Sequence, residues 1–229
     1  MIAAIYDTFQ SPIRISDVSD PRPAKKGVVL KVLATGICRS DWYGWQGYDA
    51  DINLPHVPGH ELVGKIVEVG KLVRNWTRNQ IVTVPFGGGC GYCPECLSQN
   101  HQVCDHQFQP GFTAWGSFAE YVAIDYADIN LVEIPHDLSI IHAASLGCRF
   151  VTAYRGVVYQ GGVKPGDWVA VHGCGGVGLS SIMIAKAIGA QIIAIDIDQN
   201  SLGLAKKLGA DYLIQARKEK PREAIKDIT

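Results

Sequence analysis

Apolar and polar residues follow different patterns in the two parts of the chain. Up to about residue 140, short apolar or alternating runs predict β-strands at residues 28–33, 62–69, 80–85 and 118–124. Turn residues separate these runs at irregular spacing. This pattern is typical of a small β-barrel or sandwich.

After about residue 140 the pattern alternates between helical and strand periods. Helical spacing covers residues 142–159, 177–188 and 199–208, and short apolar strand runs cover 168–172, 191–196 and 212–214. Strands that alternate with helices predict βαβ units and a parallel sheet. The expected fold class is therefore α/β with an additional β-rich domain, divided into residues 1–145 and 146–229.

Composition and charge exclude several classes of protein. Hydrophobic residues make up 47% of the chain and charged residues 19%, with 21 Lys+Arg against 22 Asp+Glu, which excludes disordered and collagen-like chains. A near-neutral balance offers no basic field for nucleic acid, and no apolar run approaches the roughly 20 residues that span a bilayer. Since no signal peptide is visible either, we expect a cytoplasmic protein without a nucleic-acid or membrane partner.

Four of the seven cysteines form one tight group. Cys90, Cys93 and Cys96 are spaced CxxCxxC, and Cys104 follows in the same glycine-rich segment. Four thiolates this close can surround one zinc ion tetrahedrally, and the metal would then hold a loop with little apolar content. Four unpaired thiols and an iron–sulfur cluster are the alternatives to zinc. The odd number of cysteines argues against a disulfide framework.

Three further residues predict a second metal site. Each of Cys38, His60 and Cys148 is weak evidence alone, because single cysteines and histidines are usually structural. Asp41 and Glu61, which lie close to the first two in sequence, supply acceptors for hydrogen bonds from metal ligands. Three protein ligands with an open fourth position define a catalytic zinc site.

A glycine-rich segment predicts a nucleotide site. It spells GxGxxG between a predicted strand and a predicted helix, where glycine lets a pyrophosphate approach the helix N-terminus. Asp196 ends the next strand, where a carboxylate bonds the ribose hydroxyls and repels a 2′-phosphate, so NAD is expected rather than NADP. The residues expected to bind the cofactor here are Gly173, Gly175, Gly176, Val177, Gly178 and Asp196.

Over essentially its whole length, the chain resembles the zinc-dependent alcohol dehydrogenases of the medium-chain dehydrogenase/reductase (MDR) family. The family's catalytic-zinc pattern falls on Cys38, His60 and Cys148, and its structural-zinc pattern falls on the four-cysteine group. The resemblance implies a GroES-like catalytic domain, a Rossmann domain, two zinc ions per chain and NAD. It implies an oxidoreductase that transfers a hydride between NAD and a primary or secondary alcohol, or its aldehyde or ketone.

The resemblance also implies roles for residues around the metal. Ser40 would accept the alcohol proton, with Asp41 and Glu61 beside the zinc ligands. Relatives often finish this proton relay with a histidine, but Tyr43 stands near that position here, which leaves the outer relay open. Phe86 matches a position that lines the alcohol pocket.

Three further positions complete these expectations. Arg39 resembles a residue that reaches the pyrophosphate in some relatives, and Thr152 resembles one that packs behind the nicotinamide. Trp42 follows the first zinc ligand and is expected either to narrow the substrate pocket or to fill core.

Family members continue beyond the length of this chain. The Rossmann domain is therefore expected to be truncated at its C-terminus, with only its N-terminal half present and strand 1 left as an open edge. The full-length protein is expected to be a homo-oligomer. Two alternative functions stay open: a catalytically silent zinc-binding fragment, and a polyol-, amino-alcohol- or threonine-type dehydrogenase of the same family.

Overall fold

The computed structural model describes residues 1–229, which form two compact units. The first unit is Met1–Cys148 and the second is Arg149–Thr229. No helix of either unit is both long and apolar enough to cross a membrane.

The first unit is built around an antiparallel sheet. Its strands are β1 (Ile2–Ile5), β2 (Arg14–Asp17), β3 (Val28–Gly36), β4 (Glu61–Val69), β5 (Ile81–Thr83), β6 (Tyr121–Ile124) and β7 (Val132–Glu133). Strands β1 and β2 form a hairpin, and the other five pair in the order β6-β3-β4-β5-β7. Side chains from β3 and β4, such as Leu30, Leu62 and Ile66, are completely buried and form its core.

Four short α-helices join the strands of this unit. They are α1 (Arg39–Trp45), α2 (Pro94–Leu97), α3 (Ala127–Asn130) and α4 (Ile140–Ala144). Helix α1 follows β3 directly, and β4 begins immediately after His60. Since β3 and β4 pair along their length, with Gly36 opposite Glu61, the ends of these strands bring residues 38 and 60 to the same edge of the sheet.

The helical spacing at residues 142–159 is confirmed, but the segment is not a single α-helix. The chain forms α4, a π-helical turn at Leu146–Phe150, α5 (Val151–Tyr154) and a second π-helical turn at Arg155–Gln160. In the first π-helical turn the Gly147 carbonyl accepts a hydrogen bond from the amide of Phe86, at 2.8 Å. Helical spacing in the sequence does not report such a long-range bond, and π-helical turns of this kind often mark functional sites.

The second unit is a parallel three-stranded sheet with helices. Its further elements are β8 (Trp168–His172), α6 (Gly176–Ile188), β9 (Gln191–Asp196), α7 (Gln199–Lys207), β10 (Tyr212–Gln215) and α8 (Pro221–Ile228). The strands pair in the order β10-β9-β8, so β8 is an edge strand. Buried residues of β9, α6 and α7, among them Ile192, Ile182 and Leu202, form one core. The predicted strands 168–172 and 191–196 are confirmed.

Helix α8 was not predicted, because its sequence is dominated by charged residues. Its few apolar side chains nevertheless lie on one face. There Ala224, Ile225 and Ile228 pack against the buried side chains of Ile193, Ile195 and Ile214. A helix of this composition is therefore stabilised by tertiary packing more than by its own propensity.

Candidate metal and nucleotide sites

The four cysteines of the glycine-rich segment converge in space. All four are buried, and their sulfur atoms lie within 4.8 Å of one another. The Cys93 and Cys104 sulfurs are 3.7 Å apart and those of Cys90 and Cys96 are 4.0 Å apart. Sulfurs arranged tetrahedrally at about 2.3 Å from a zinc ion would be about 3.8 Å apart, so the separation fits this ion.

Backbone amides hold the four sulfurs in place. The amide of Cys93 donates to the Cys90 sulfur and that of Cys96 to the Cys93 sulfur, each at 3.4 Å. Outside the cluster, the buried Asn130 side chain accepts from the Gly89 amide at 2.8 Å and donates to its carbonyl at 3.0 Å. These bonds fix the loop before the first cysteine.

The ionisation of this group also favours a cation. Burial alone would raise the pKa of Cys90, but hydrogen bonds from the Tyr92 and Cys93 amides lower it to about 6, whereas burial raises the pKa of Cys104 to about 12. Without a metal, four adjacent thiols cannot all be ionised, because each thiolate opposes the next. A divalent ion would remove this conflict and hold all four as thiolates.

The second group joins residues that are far apart in sequence. The sulfurs of Cys38 and Cys148 and a ring nitrogen of His60 lie within 4.8 Å of one another. Cys38 is at the N-terminus of α1, His60 is at the start of β4 and Cys148 is in the first π-helical turn. All three belong to the first unit.

Asp41 ties two of these residues together. Its Oδ2 accepts the amide of Cys38 at 2.8 Å, and its Oδ1 accepts both the amide of Gly59 at 3.1 Å and Nδ1 of His60 at 2.9 Å. The carboxylate is buried, with 7% of the residue exposed. This contact holds a proton on Nδ1, so Nε2 of His60 is the nitrogen left for a metal ion.

The other nitrogen of His60 is left without a hydrogen bond. Nε2 is completely buried and has no hydrogen-bond partner. An unsatisfied buried polar atom is costly, so such an atom calls for an explanation. A metal ion bound by this nitrogen and the two sulfurs supplies one, and the donor set of one imidazole and two thiolates suits zinc.

The residues of this group shift one another's pKa values. The nearby Cys148 side chain, and after it that of His60, lowers the pKa of Cys38 to about 3. Burial acts to lower the pKa of His60, but the Asp41 carboxylate and the Cys38 thiolate raise it to about 9. Without metal the group is thus a thiolate beside an imidazolium, and a cation would replace the proton.

Gly147 places Cys148. A Cβ atom added to Gly147 would lie 2.5 Å from the Val84 carbonyl oxygen, so only glycine allows this approach. The bond from Phe86 to the Gly147 carbonyl fixes the same turn.

A cavity of about 210 Å³ opens beside His60. It is lined by Ser40, Tyr43, Asp49, His60, Phe86, Gln109 and Phe112. The ring of Phe112 lies 5.2 Å from that of His60 and the ring of Phe86 lies 6.4 Å away. The hydroxyl of Ser40 is 3.7 Å from the Cys38 sulfur. Sequence reasoning missed Phe112, Asp49 and Gln109, since no local motif marks them.

The remaining predicted residues of this region lie around the cluster. Trp42 is 43% exposed, is not among the residues that line the cavity, and its ring contacts the Arg39 guanidinium at 4.5 Å. Arg39 is exposed on α1, whereas Glu61 is completely buried at the start of β4. Thr152 is exposed on α5 of the second unit.

In the second unit, the glycine loop links β8 to α6. Gly173 has a φ of +91°, and α6 begins at Gly176 with Val177 next to it. A Cβ atom on Gly178 would lie 1.9 Å from the Gly173 carbonyl oxygen, whereas one on Gly175 would meet no atom within 4 Å. The loop is therefore closed on its inner side and open toward solvent, as close approach of a phosphate requires.

Asp196 is held beside this loop. One of its oxygens accepts the Cys174 amide at 2.6 Å and the other accepts the Asp198 amide at 2.8 Å, and the former bond is the main reason that the pKa of Asp196 is lowered. The neighbouring Asp198 instead caps α7 through the amide of Ser201. Sequence reasoning also missed Arg149, whose Cδ would lie 2.2 Å from a Cβ on Gly176 and which adds positive charge near the start of α6.

Two family models and several known proteins match this chain. Residues 24–136 match the family model described as the alcohol dehydrogenase GroES-like domain, and residues 176–229 match the one described as zinc-binding dehydrogenase. The chain is 36% identical to an alcohol dehydrogenase of Geobacillus stearothermophilus, over 99% of this chain and 67% of that protein. It is 35% identical to an NAD-dependent alcohol dehydrogenase of Sulfurisphaera tokodaii, over 95% of this chain and 65% of that protein.

A solved structure shows the same fold. The chain superposes on alcohol dehydrogenase TADH from Thermus sp. ATN1 with a TM-score of 0.93 and 33% identity, which covers all of this chain and 67% of the other. The chain thus spans about two thirds of the length of the relatives that it matches.

Proposed function

Because this chain belongs to the zinc-dependent alcohol dehydrogenases of the MDR family, we propose that Cys38, His60 and Cys148 hold the zinc ion at which an alcohol is oxidised. The observation that carries this assignment is Nε2 of His60, which is buried without a hydrogen-bond partner beside two thiols. The open side of this cluster is the cavity that Phe86 and Phe112 line.

Family membership confirms four predictions made from the sequence. The fold class is a GroES-like domain with a Rossmann-type domain, and the reaction is NAD-dependent oxidation of alcohols or reduction of their carbonyl compounds. Zinc and NAD are the cofactors. The substrate is a small molecule of this class. Residues 1–145 and 146–229 are the boundaries that we propose for the two domains.

When bound, zinc acts as a Lewis acid that makes the alcohol easier to deprotonate. Asp41 holds the proton on Nδ1 of His60 and thereby keeps Nε2 available, while its bond to the Cys38 amide fixes the start of α1. Ser40 lies beside Cys38 and in the cavity, so its hydroxyl accepts the alcohol proton. Phe86 and Phe112 exclude water from this position. Glu61 is proposed as a buried carboxylate that tunes the charge of the cluster.

The glycine loop is proposed to bind NAD. Its residues 173–178 would receive the pyrophosphate at the N-terminus of α6, and Asp196 would accept hydrogen bonds from the adenosine ribose. NAD held by this loop would supply the hydride acceptor. The family resemblance further suggests that Arg39 contacts the pyrophosphate and that Thr152 supports the nicotinamide. Trp42 is exposed and does not line the cavity, so it neither narrows the substrate pocket nor fills the core.

We propose that the four-cysteine lobe holds a second, structural zinc ion. Its donor set is complete, with Cys90, Cys93, Cys96 and Cys104 in tetrahedral spacing and no open position. We also propose that the protein is located in the cytoplasm and that it assembles into a homo-oligomer. A polyol- or threonine-type substrate is the second candidate within the same reaction class.

Zinc content and turnover test this function together. We expect about two zinc ions per chain and NADH formation from small alcohols, measured at 340 nm in the presence of NAD. Cys38→Ser should lose one zinc ion and all turnover, whereas Cys104→Ser should lose the other zinc ion. Two zinc ions without turnover on any alcohol would refute the catalytic proposal in favour of a silent zinc-binding chain, and a protein without zinc would refute both site assignments.

Asp196 provides a separate test of the nucleotide site. Asp196→Ala should weaken NAD binding about tenfold and narrow the preference for NAD over NADP, because the ribose acceptor is lost. Equilibrium binding of both nucleotides measures this effect without turnover. Asp227→Ala, an exposed change on α8, is the matched control and should leave binding unaffected. Unchanged nucleotide preference in the Asp196 variant would refute the ribose role.

A further inference from the structure

The cavity beside His60 is not uniformly apolar. The rings of Phe86 and Phe112 lie next to His60, but Asp49 and Gln109 also line the cavity. Its volume of about 210 Å³ is below the roughly 300 Å³ at which pockets for larger ligands begin, so a small substrate fits it. A small aliphatic alcohol would offer these two polar side chains no additional hydrogen-bond donor.

Asp49 is a carboxylate with spare acceptor capacity. Its Oδ1 accepts the amide of Asp51 at 3.0 Å, and Oδ2 makes no hydrogen bond within the chain. No Lys, Arg or His lies within salt-bridge distance of it. The residue is half-buried, so part of the carboxylate is withdrawn from water and gains more from a bound donor than an exposed one would.

Gln109 presents a second acceptor in the same cavity. Its Nε2 donates to the carboxamide oxygen of Gln107, which leaves its own Oε1 without a partner in the chain. Its backbone is fixed by Thr113, whose hydroxyl accepts the Gln109 amide at 2.8 Å. The two unused groups, Oδ2 of Asp49 and Oε1 of Gln109, are therefore both acceptors.

The charges around the cavity also favour a substrate that carries a hydrogen-bond donor over one that carries an anion. None of the side chains that line it is a lysine or an arginine, so nothing there would pair with a substrate carboxylate or phosphate. An anionic alcohol, such as a 2-hydroxy acid, would instead meet Asp49 and be disfavoured. A neutral diol or a cationic amino alcohol would supply the donor that the two acceptors lack.

We propose that Asp49 is a specificity-determining residue that selects alcohols with a second hydrogen-bond donor, a hydroxyl or an ammonium group, beside the carbon that is oxidised. This inference rests on the proposed function of the same site. It assigns the substrate class to small vicinal diols and amino alcohols. Gln109 is the supporting acceptor.

Four substrates with the same carbinol group test the proposal. They are 2-propanol, 1,2-propanediol, 1-amino-2-propanol and lactate, which differ only in the neighbouring group. We expect the wild-type kcat/KM for the amino alcohol and the diol to exceed that for 2-propanol, with lactate lowest. In Asp49→Asn the ratio of amino alcohol to 2-propanol should fall by about 10- to 100-fold, the range for a hydrogen bond to a charged group.

Asp51→Asn is the matched control. The side chain of Asp51 is exposed and does not line the cavity, and only its backbone amide contacts Asp49, so this change alters the net charge equally and keeps that hydrogen bond. We expect this variant to keep the wild-type ratio. An unchanged ratio in Asp49→Asn, or an equal fall in both variants, overturns the inference while turnover of 2-propanol leaves the proposed function standing.

A binding measurement separates this inference from catalysis. The protein is loaded with Co²⁺, and its visible absorption is titrated with each of the four compounds to obtain dissociation constants. A preference for donors that depends on Asp49, without NADH formation, supports the specificity role and refutes the catalytic proposal. No response to any of the four compounds in either assay refutes both.

Discussion

Replacement of Asp41 by asparagine tests whether one buried carboxylate sets up the metal site. Asp41 accepts three hydrogen bonds, from the amides of Cys38 and Gly59 and from Nδ1 of His60. Asparagine has a single acceptor oxygen, so its NH₂ group must face at least one of these donors. The smallest perturbation keeps Oδ1 in place and sets the NH₂ group against the Cys38 amide.

The magnitude follows from the lost contact. A hydrogen bond to a charged group contributes about 1.5–3 kcal/mol, and here the loss falls on the segment that carries Cys38. Mutation of groups that orient metal ligands typically costs about 10- to 100-fold in metal affinity, which equals about 1.4–2.8 kcal/mol. The free energy of the lost hydrogen bond and the free energy that corresponds to this loss of metal affinity therefore agree. We therefore expect Asp41→Asn to weaken zinc binding at this cluster by about 10- to 100-fold.

Zinc release to a chelator measures this effect. The wild-type protein and Asp41→Asn are titrated with a chromophoric chelator, and the zinc released is counted per chain. One of the two zinc ions should leave the variant at about 10- to 100-fold lower chelator concentration, while the other follows the wild type. Asp167→Asn, which loses a carboxylate that accepts a backbone amide in a distant turn, should release zinc like the wild type. Superimposable titrations of wild type and Asp41→Asn would refute the reasoning.

Three more predictions concern packing, the lobe and pH. Gly147→Ala should lose zinc at the catalytic cluster and about 1–3 kcal/mol of stability, because its methyl group would lie 2.5 Å from a backbone oxygen. Gly156→Ala is the control, since its methyl group would meet no atom within 4 Å. Zinc content and urea unfolding of both variants check this prediction. Asn130→Ala removes two buried hydrogen bonds from the four-cysteine lobe and should cost about 1–3 kcal/mol, seen as zinc release at lower urea concentration. Hydrogen bonding to Lys186 lowers the pKa of Asp211, so the roughly 1 kcal/mol that its ionised carboxylate contributes should be present at neutral pH. This contribution should begin to decrease below about pH 4, the ordinary pKa of Asp, and disappear as the pH falls through the lower folded-state pKa. Urea unfolding of wild type and Asp211→Asn across pH measures this decrease.

Each of these has an outcome that contradicts it. Wild-type zinc content in Gly147→Ala would mean that the turn at residue 148 tolerates a side chain. Zinc release from Asn130→Ala at the wild-type urea concentration would mean that the lobe does not depend on this clamp. A difference between wild type and Asp211→Asn that does not decrease as the pH is lowered from neutral to about 2 would show that it does not come from the ionised carboxylate.

Local features were predictable because local physics determines them. Strands β8 and β9 coincide with the predicted runs at 168–172 and 191–196, since both are short, apolar and bounded by turn residues. The positions of Gly173 and Gly178 follow from sterics within a single loop, where the Cβ of one would strike the backbone of the other. Patterns of this kind need no knowledge of the rest of the fold.

Features that depend on distant residues were not predictable. The π-helical turn at Leu146–Phe150 is tied to the amide of Phe86, about sixty residues earlier, and nothing near residue 148 reports that bond. Helix α8 looks like a solvated charged stretch until the apolar surface of β9 and β10 is available to pack against Ile225 and Ile228. Tertiary packing decided both cases.

In the candidate sites, too, features set by local sequence were predictable and features set by distant residues were not. Chemistry and spacing identified the ligand residues, and Asp41 could be named from its position next to Cys38. The sequence could not assign Asp41 its three donors, nor could it bring Asp49 into one cavity with Gln109 and Phe112, which lie on a different loop. Residues that bind metal carry a recognisable type, whereas residues that shape a pocket can be of almost any type.

The two metal clusters therefore depend on the fold in opposite ways. The four-cysteine lobe has no apolar core of its own; its buried cluster consists of the four cysteines, with Tyr126 packed against them. Zinc binding there contributes free energy that the lobe needs to fold. Cys38, His60 and Cys148 are instead positioned by the paired strands β3 and β4, by Asp41 and by the Gly147 contact, which are interactions between protein groups. A site assembled by the scaffold can keep one coordination position open for substrate, whereas a lobe held by its metal must use all four of its ligands.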